Sequence, residues 1–138
     1  MDTSKNHSRH VALWLTAAVL LILFACSRHR PEQIAGAAAR QYYEQMLAGN
    51  YEAFVDGTWQ PEAIPEGYRS QLIDNAAMFA DRLQKEHRGV REVRIAEARL
   101  DTLNAAQAEV FLVFCFGDST TEEVLVPMVC HDNTWYLR

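Results

Sequence analysis

Gly89 splits the chain by the period of its apolar residues, and nothing else in the sequence limits the fold as much. Upstream, Ile34, Ala38, Tyr42, Gln45 and Met46 recur at helical spacing beside Ala35, Ala39, Tyr43 and Leu47; Tyr68, Leu72, Ala76, Phe79 and Leu83 form a second such stripe. Proline suits a first helical position and an acid favours the positive end of the helix dipole, so Pro31 and Glu32 open a helix that runs to about Ala48. Gly49 then serves as its C-terminal cap, and Asn50 can cap a short helix from Tyr51 to Val55. Asp56 to Pro65, with Gly57, Thr58, Trp59 and Pro61, reads as an irregular connection. A second long helix spans about Glu66 to Arg88, closed by Gly89. Downstream the period is two, with strands over about Val90–Leu100, Glu109–Phe116, Glu123–Cys130 and Trp135–Leu137. Turns are expected at Asn104–Ala106, Gly117–Thr121 and Asp132-Asn133. Helices first and strands second make an α+β domain, with helices on one face of an antiparallel sheet of about four strands.

The first 26 residues follow a different plan. Lys5 and Arg9 precede an apolar run from Val11 to Cys26, and the chain turns polar at Ser27-Arg28-His29-Arg30. Charged, then apolar, then small is the order of a signal peptide. The run is 16 residues long, short of the about 20 a spanning helix needs. Leu23-Phe24-Ala25-Cys26 resembles the lipobox of bacterial lipoproteins. That resemblance implies cleavage between Ala25 and Cys26 and a diacylglycerol on the Cys26 thiol, with the two acyl chains that stable anchoring requires. The expected organisation is therefore a removed signal peptide over 1–25, a lipidated tether over 26–31 and one folded domain over 32–138. Loss of Asp2, Lys5 and Arg9 with the signal peptide takes the chain from 13 basic and 18 acidic side chains to 11 and 17, a net charge of −6. Nucleic acid, whose phosphates need a basic patch, is not an expected partner.

Cys115 and Cys130 are the cysteines left to the domain. On two arms of one hairpin they would lie on the order of 20 Å apart, beyond the about 7 Å of bridged Cα atoms, and are expected as separate thiols. There is no Cys-x-x-Cys pair, and His29, His87 and His131 lack metal-ligand spacing, so neither metal nor cofactor is expected. No Gly-rich phosphate loop and no Gly-x-Ser-x-Gly elbow occurs.

The helix over Ala39–Ala48 that ends in Gly49-Asn50-Tyr51-Glu52-Ala53-Phe54 resembles small NTF2-like (cystatin-like) envelope lipoproteins of the DUF4878 type. Phe116-Gly117-Asp118 running into Glu122-Glu123-Val124, then Val126-Pro127-Met128 and Trp135-Tyr136-Leu137, is similar to their closing hairpin. The resemblance covers nearly all of 32–138 and implies a curved antiparallel sheet wrapped on a long helix, often leaving a conical pocket. NTF2-like folds include isomerases and cyclases, but no catalytic set in this chain matches theirs, and fold does not carry function.

A hairpin turn of two or four residues would put Phe111, Val113, Cys115, Val124, Val126, Met128, Cys130, Trp135 and Leu137 on one face, expected under the helices. Val110, Leu112, Phe114, Phe116, Leu125, Pro127, Val129 and Tyr136 would form the other, equally apolar face. Either a partner covers that second face, through Leu112, Phe114, Phe116, Leu125 and Tyr136, or the Asp56–Pro65 segment and the chain ends fold over it. Glu109 falls on the Trp135 face in this register. It would be a pocket carboxylate with a desolvated, raised pKa, or simply the solvated start of a strand, since glutamate is rarely buried unpaired. Tyr42, Tyr43, Trp59, Tyr68, Phe111 and Trp135 are candidates to line a pocket for a flat ligand, and serve equally as core and rim. The sequence thus points to a lipid-anchored envelope module that binds a small ligand or a protein partner without catalysis. Two alternatives stay open: an isomerase- or cyclase-like enzyme using a pocket carboxylate, and a structural subunit dimerising through its sheet. Ser27 after the cysteine and the absence of an acidic run suggest an outer-membrane anchor facing the periplasm.

Overall fold

A computed structural model describes residues 29–138; the expected signal peptide, the expected cleavage site at Ala25/Cys26 and the first residues of the expected tether lie outside the described residues. Three helices, α1 (Pro31–Leu47), α2 (Tyr51–Asp56) and α3 (Glu66–His87), precede four strands, β1 (Val90–Leu100), β2 (Gln107–Phe116), β3 (Thr121–His131) and β4 (Thr134–Leu137). The strands form one antiparallel sheet in the order β1-β2-β3-β4. This is the α+β arrangement that the change of period at Gly89 predicts.

Local chemistry sets the helix ends with two departures from expectation. At the start of α1, Pro31 occupies the first turn and the Gln33 side-chain oxygen accepts the Arg30 backbone N–H at 3.2 Å. Gly49 turns the chain out of α1 at φ +89°. Asn50 precedes α2, but its side-chain amide donates to Gln45 Oε1 at 2.7 Å and caps no backbone group. At the end of α3, Arg88 already takes the left-handed conformation (φ 61°) ahead of Gly89 (φ 78°), so the helix stops one residue early.

The core fills the space between α1, α3 and one sheet face. Ala35 and Ala39 of α1 and Leu83 of α3 meet Val93, Ala108, Val110, Leu112, Phe114, Phe116, Val126, Met128, Trp135 and Leu137. Gly36 lets α1 approach β1 closely, because a Cβ there would lie 3.2 Å from that of Ala98. Register shifts between Val90 and Glu92 and between Ile95 and Glu97 place two bulges in β1, and bulges bend a strand. They curve the sheet around α1.

The face assignment differs from the sequence expectation, because the β2–β3 turn holds three residues. Gly117, Asp118 and Ser119 make it, with Ser119 at φ 72° and the Phe116 N–H bonded to the Thr120 carbonyl at 2.9 Å. This is the loop built on a turn plus one left-handed residue. Cys115 therefore pairs with Thr121, Leu112 with Val124 and Val110 with Val126, so residues of like parity share a face. A slip of one residue exchanges the two faces of a strand. Leu112, Phe114 and Phe116 are 0–1% exposed under the helices with Trp135 and are not available as a sheet interface. Phe111, Val113 and Cys115 point outward with Leu125 and Tyr136. Cys115 and Cys130 lie on opposite faces, both free.

The connection after α2 closes the β4 edge. Thr58 bridges Leu137 in parallel, the Trp59 N–H donates to the Leu137 carbonyl at 2.6 Å, and the Leu137 N–H to that of Gly57 at 2.8 Å. Trp59 then lies over the outer face, its ring 5.4 Å from Tyr136 and 4.2 Å from His131.

Candidate functional site

The helix layer leaves an open cleft of about 430 Å³ between the end of α1, α2 and α3. Each helix brings one stripe to it. Tyr43 and Met46 come from α1, Phe54 and Val55 from α2, and Tyr68, Leu72, Asn75, Ala76 and Phe79 from α3, while Thr58 and Gln60 close one side. The floor is apolar: Met46 is 1% exposed, and Tyr43 makes an edge contact with Phe54 at 5.3 Å and a tilted one with Phe114 at 5.4 Å. Among the described residues the polar side chains lining it are those of Tyr43, Thr58, Gln60, Tyr68 and Asn75, which carry hydroxyls and amides.

Tyr43 is the most deeply set polar group. Burial pushes its pKa above the ordinary 10, and no described residue hydrogen-bonds its hydroxyl. At neutral pH it keeps its proton and offers a donor to whatever fills the cleft. Arg69 of α3 grips both carboxylate oxygens of Asp56, at 2.9 and 3.0 Å, and ties the end of α2 to the start of α3 beside the cleft.

Of the residues singled out from sequence, only Tyr43 and Tyr68 line this cleft. Tyr42 points to the other side of α1, where its hydroxyl donates to the Trp135 carbonyl at 3.0 Å. Trp135 is core, at 6% exposure. Trp59 lies on the β4 edge, and Phe111 is on the outer sheet face beneath the Arg99 guanidinium, 5.0 Å from the ring centre. Glu109 is outward too, paired with Arg99 at 2.8 Å. Its placement beside Trp135 fails with the register that predicted it.

Met46, Phe54, Thr58, Gln60 and Asn75 were not foreseen. Asn75 carried a signal, since it interrupts the apolar stripe Leu72, Ala76, Phe79 at the i+3 position. A polar residue there faces the same side as its apolar neighbours.

Among the described residues no group of three His, Cys, Asp or Glu side chains is placed to hold a metal ion, and no helix is long and apolar enough to cross a membrane. One ionisable cluster stands apart from the cleft. His87, at the end of α3, stacks on Phe116 (4.2 Å, 17°) and bonds through Nδ1 to Asp118 Oδ2 at 2.9 Å.

No protein-family model and no curated protein matches the chain. Among solved structures, a crystal structure from Campylobacter jejuni, provisionally named an NTF2-like transpeptidase, is similar with a TM-score of 0.59 at 14% identity, over 72% of this chain and 92% of that one. A solution structure of a SEC-C motif containing protein from Rhodopseudomonas palustris aligns with a TM-score of 0.49 at 14% identity, over 73% and 72% of the two chains. Helices followed by a curved four-stranded antiparallel sheet, together with the first of these likenesses, identify the fold as NTF2-like.

Proposed function

We propose that this chain is an envelope lipoprotein of the DUF4878 type, acylated at Cys26 on a periplasm-facing outer-membrane surface, whose NTF2-like domain binds a small, uncharged amphipathic molecule without transforming it. The cleft between α1, α2 and α3 carries this reading. Its apolar floor offers burial and its ring of hydroxyls and amides offers orientation, the usual division of labour in a small-molecule site. Among the described residues no acid, Lys, Arg or His lines it, so a charged ligand would lack a counter-charge there. The enzyme alternative asks for a carboxylate in the pocket. Glu109, the residue named for that role, lies outside with Arg99, and the Tyr43 hydroxyl holds its proton too firmly to serve as a base at neutral pH.

Native mass spectrometry of the chain extracted from envelope membranes in a non-ionic detergent tests the reading. Mass beyond polypeptide and acyl groups is expected, and it should vanish in a Leu72→Trp variant that fills the cleft. A bare protein, or extra mass indifferent to that variant, would overturn it.

A second reading, in which the module docks a copy of itself or another envelope protein, has its own observation. Leu125 is 50% exposed on the outer sheet face beside Phe111, Val113, Val129 and Tyr136. A dimer in the same spectrum, dispersed by Leu125→Lys, favours it.

A further inference from the structure

We propose that the pole of the domain formed by the start of α1 and the β1–β2 turn rests on the lipid bilayer, with Leu103 inserted as a peg. The inference rests on the acylation of Cys26 proposed above. Leu103 is 97% exposed, yet it sits on a fixed turn. One Asp101 carboxylate oxygen accepts the backbone N–H groups of Leu103 (2.7 Å) and Asn104 (2.8 Å), and the Asn104 side chain accepts that of Ala106 at 3.0 Å. The Cys130 N–H bonds to the Ala106 carbonyl at 2.7 Å, which fastens the turn to the sheet. A leucine held rigidly in water loses apolar contact without gaining entropy.

The same pole receives the anchor. Pro31 and Ile34 of α1 share a hollow with Ala105 and Ala106 of this turn and with Asp132 and Asn133 of the β3–β4 turn, and Ile34 is 47% exposed. Five backbone steps separate Cys26 from Pro31, a reach of at most about 18 Å. A lipidated Cys26 thus holds this end within a tether's length of the bilayer. The tether carries Arg28, His29 and Arg30, which suit anionic headgroups. Of the acids at the pole, Asp101 is held by the turn, Asp132 stays largely exposed 3.3 Å from His131, and Glu32 stands in the first turn of α1, so the basic groups that would meet the headgroups are those of the tether. The occupant that fits an apolar peg, a basic tether and a covalent lipid on one pole is a lipid surface. With that pole down, Met46 and the cleft lie about 22 Å along α1 from Pro31, at the end of the helix away from the tether.

Tryptophan depth quenching tests this on the full, processed chain. Leu103→Trp and, at the other end of the sheet, Thr121→Trp are reconstituted in phosphatidylethanolamine/phosphatidylglycerol vesicles with or without shallowly dibrominated acyl chains, and the parent emission from Trp59 and Trp135 is subtracted. Both positions are exposed, so neither change disturbs the core. The emission added at 103 is expected to be blue-shifted and quenched about twofold or more, as for a side chain at the headgroup–acyl boundary, and that added at 121 to be unaffected. Equal or absent quenching at the two positions, with an acylated N-terminal peptide found by mass, overturns the peg and leaves the anchor standing. An unacylated peptide overturns the anchor and the peg together.

Discussion

Gly117 shows how closely the β2–β3 turn is seated on the end of α3. Its N–H donates to the Gly89 carbonyl at 2.8 Å, and that of Asp118 to the His87 carbonyl at 3.0 Å, satisfying a carbonyl that the helix end leaves open. A Cβ at 117 would stand 2.3 Å from the Arg88 carbonyl oxygen. Backbone cannot swing aside as a flexible side chain would, so Gly117→Ala should lower stability by about 1–3 kcal/mol in urea unfolding. Gly67→Ala, in the first turn of α3 with nothing within 4 Å of the new methyl, should instead be neutral or raise it by up to about 1 kcal/mol. Asp118, next in the turn, adds a pH dependence. Hydrogen bonds from the Thr120 hydroxyl and N–H, and then from His87, lower its pKa from 3.8 to about 2. A depressed folded-state pKa stabilises the fold fully above the unfolded value of 3.8, and that contribution is lost as pH falls towards about 2. Urea midpoints across this window should fall more steeply for the wild type than for Asp118→Asn; parallel curves would show that the turn does not depend on the charge.

At the scale of elements, the exchange of sheet faces makes a paired prediction. Phe114 is 1% exposed beneath Tyr43 of α1, so Phe114→Ala should cost about 3–5 kcal/mol. Phe111, on the outer face, is only half-buried under Arg99, and Phe111→Ala should cost about 1–2 kcal/mol. The register expected from sequence demands the reverse order, so unfolding of the two variants separates the registers cleanly. Periodicity made the elements legible, since a stripe at 3.6 or 2 residues shows wherever one side is buried. Both β2 faces are apolar, so hydrophobic pattern could not choose between them. The choice fell to Ser119, whose left-handed φ lets the turn close on three residues and which carries no glycine or asparagine to announce it. Asp132 and Asn133, both at positive φ, do announce theirs. The cleft was hidden for a different reason. It lies where α1, α2 and α3 fail to meet, and the pattern within one helix does not say how far its neighbours stand off. Only Tyr43, Tyr68 and the anomalous Asn75 hinted at it.

For the whole molecule the proposed anchor raises the question of what would hold a net-acidic domain to a membrane. Among the described residues the domain core is drawn from residues 35 to 137. An apolar run of 16 residues is too short to span comfortably, and one exposed leucine with three basic tether residues is too little to hold a protein by itself. Two acyl chains on Cys26 would be enough. Cys26→Ala should therefore abolish incorporation of labelled palmitate and move most of the protein out of the membrane fraction after an alkaline wash, while the unfolding midpoint of the domain stays that of the wild type. If the variant stays in the washed membrane as firmly as the wild type, residues 11 to 26 act as an uncleaved anchor instead.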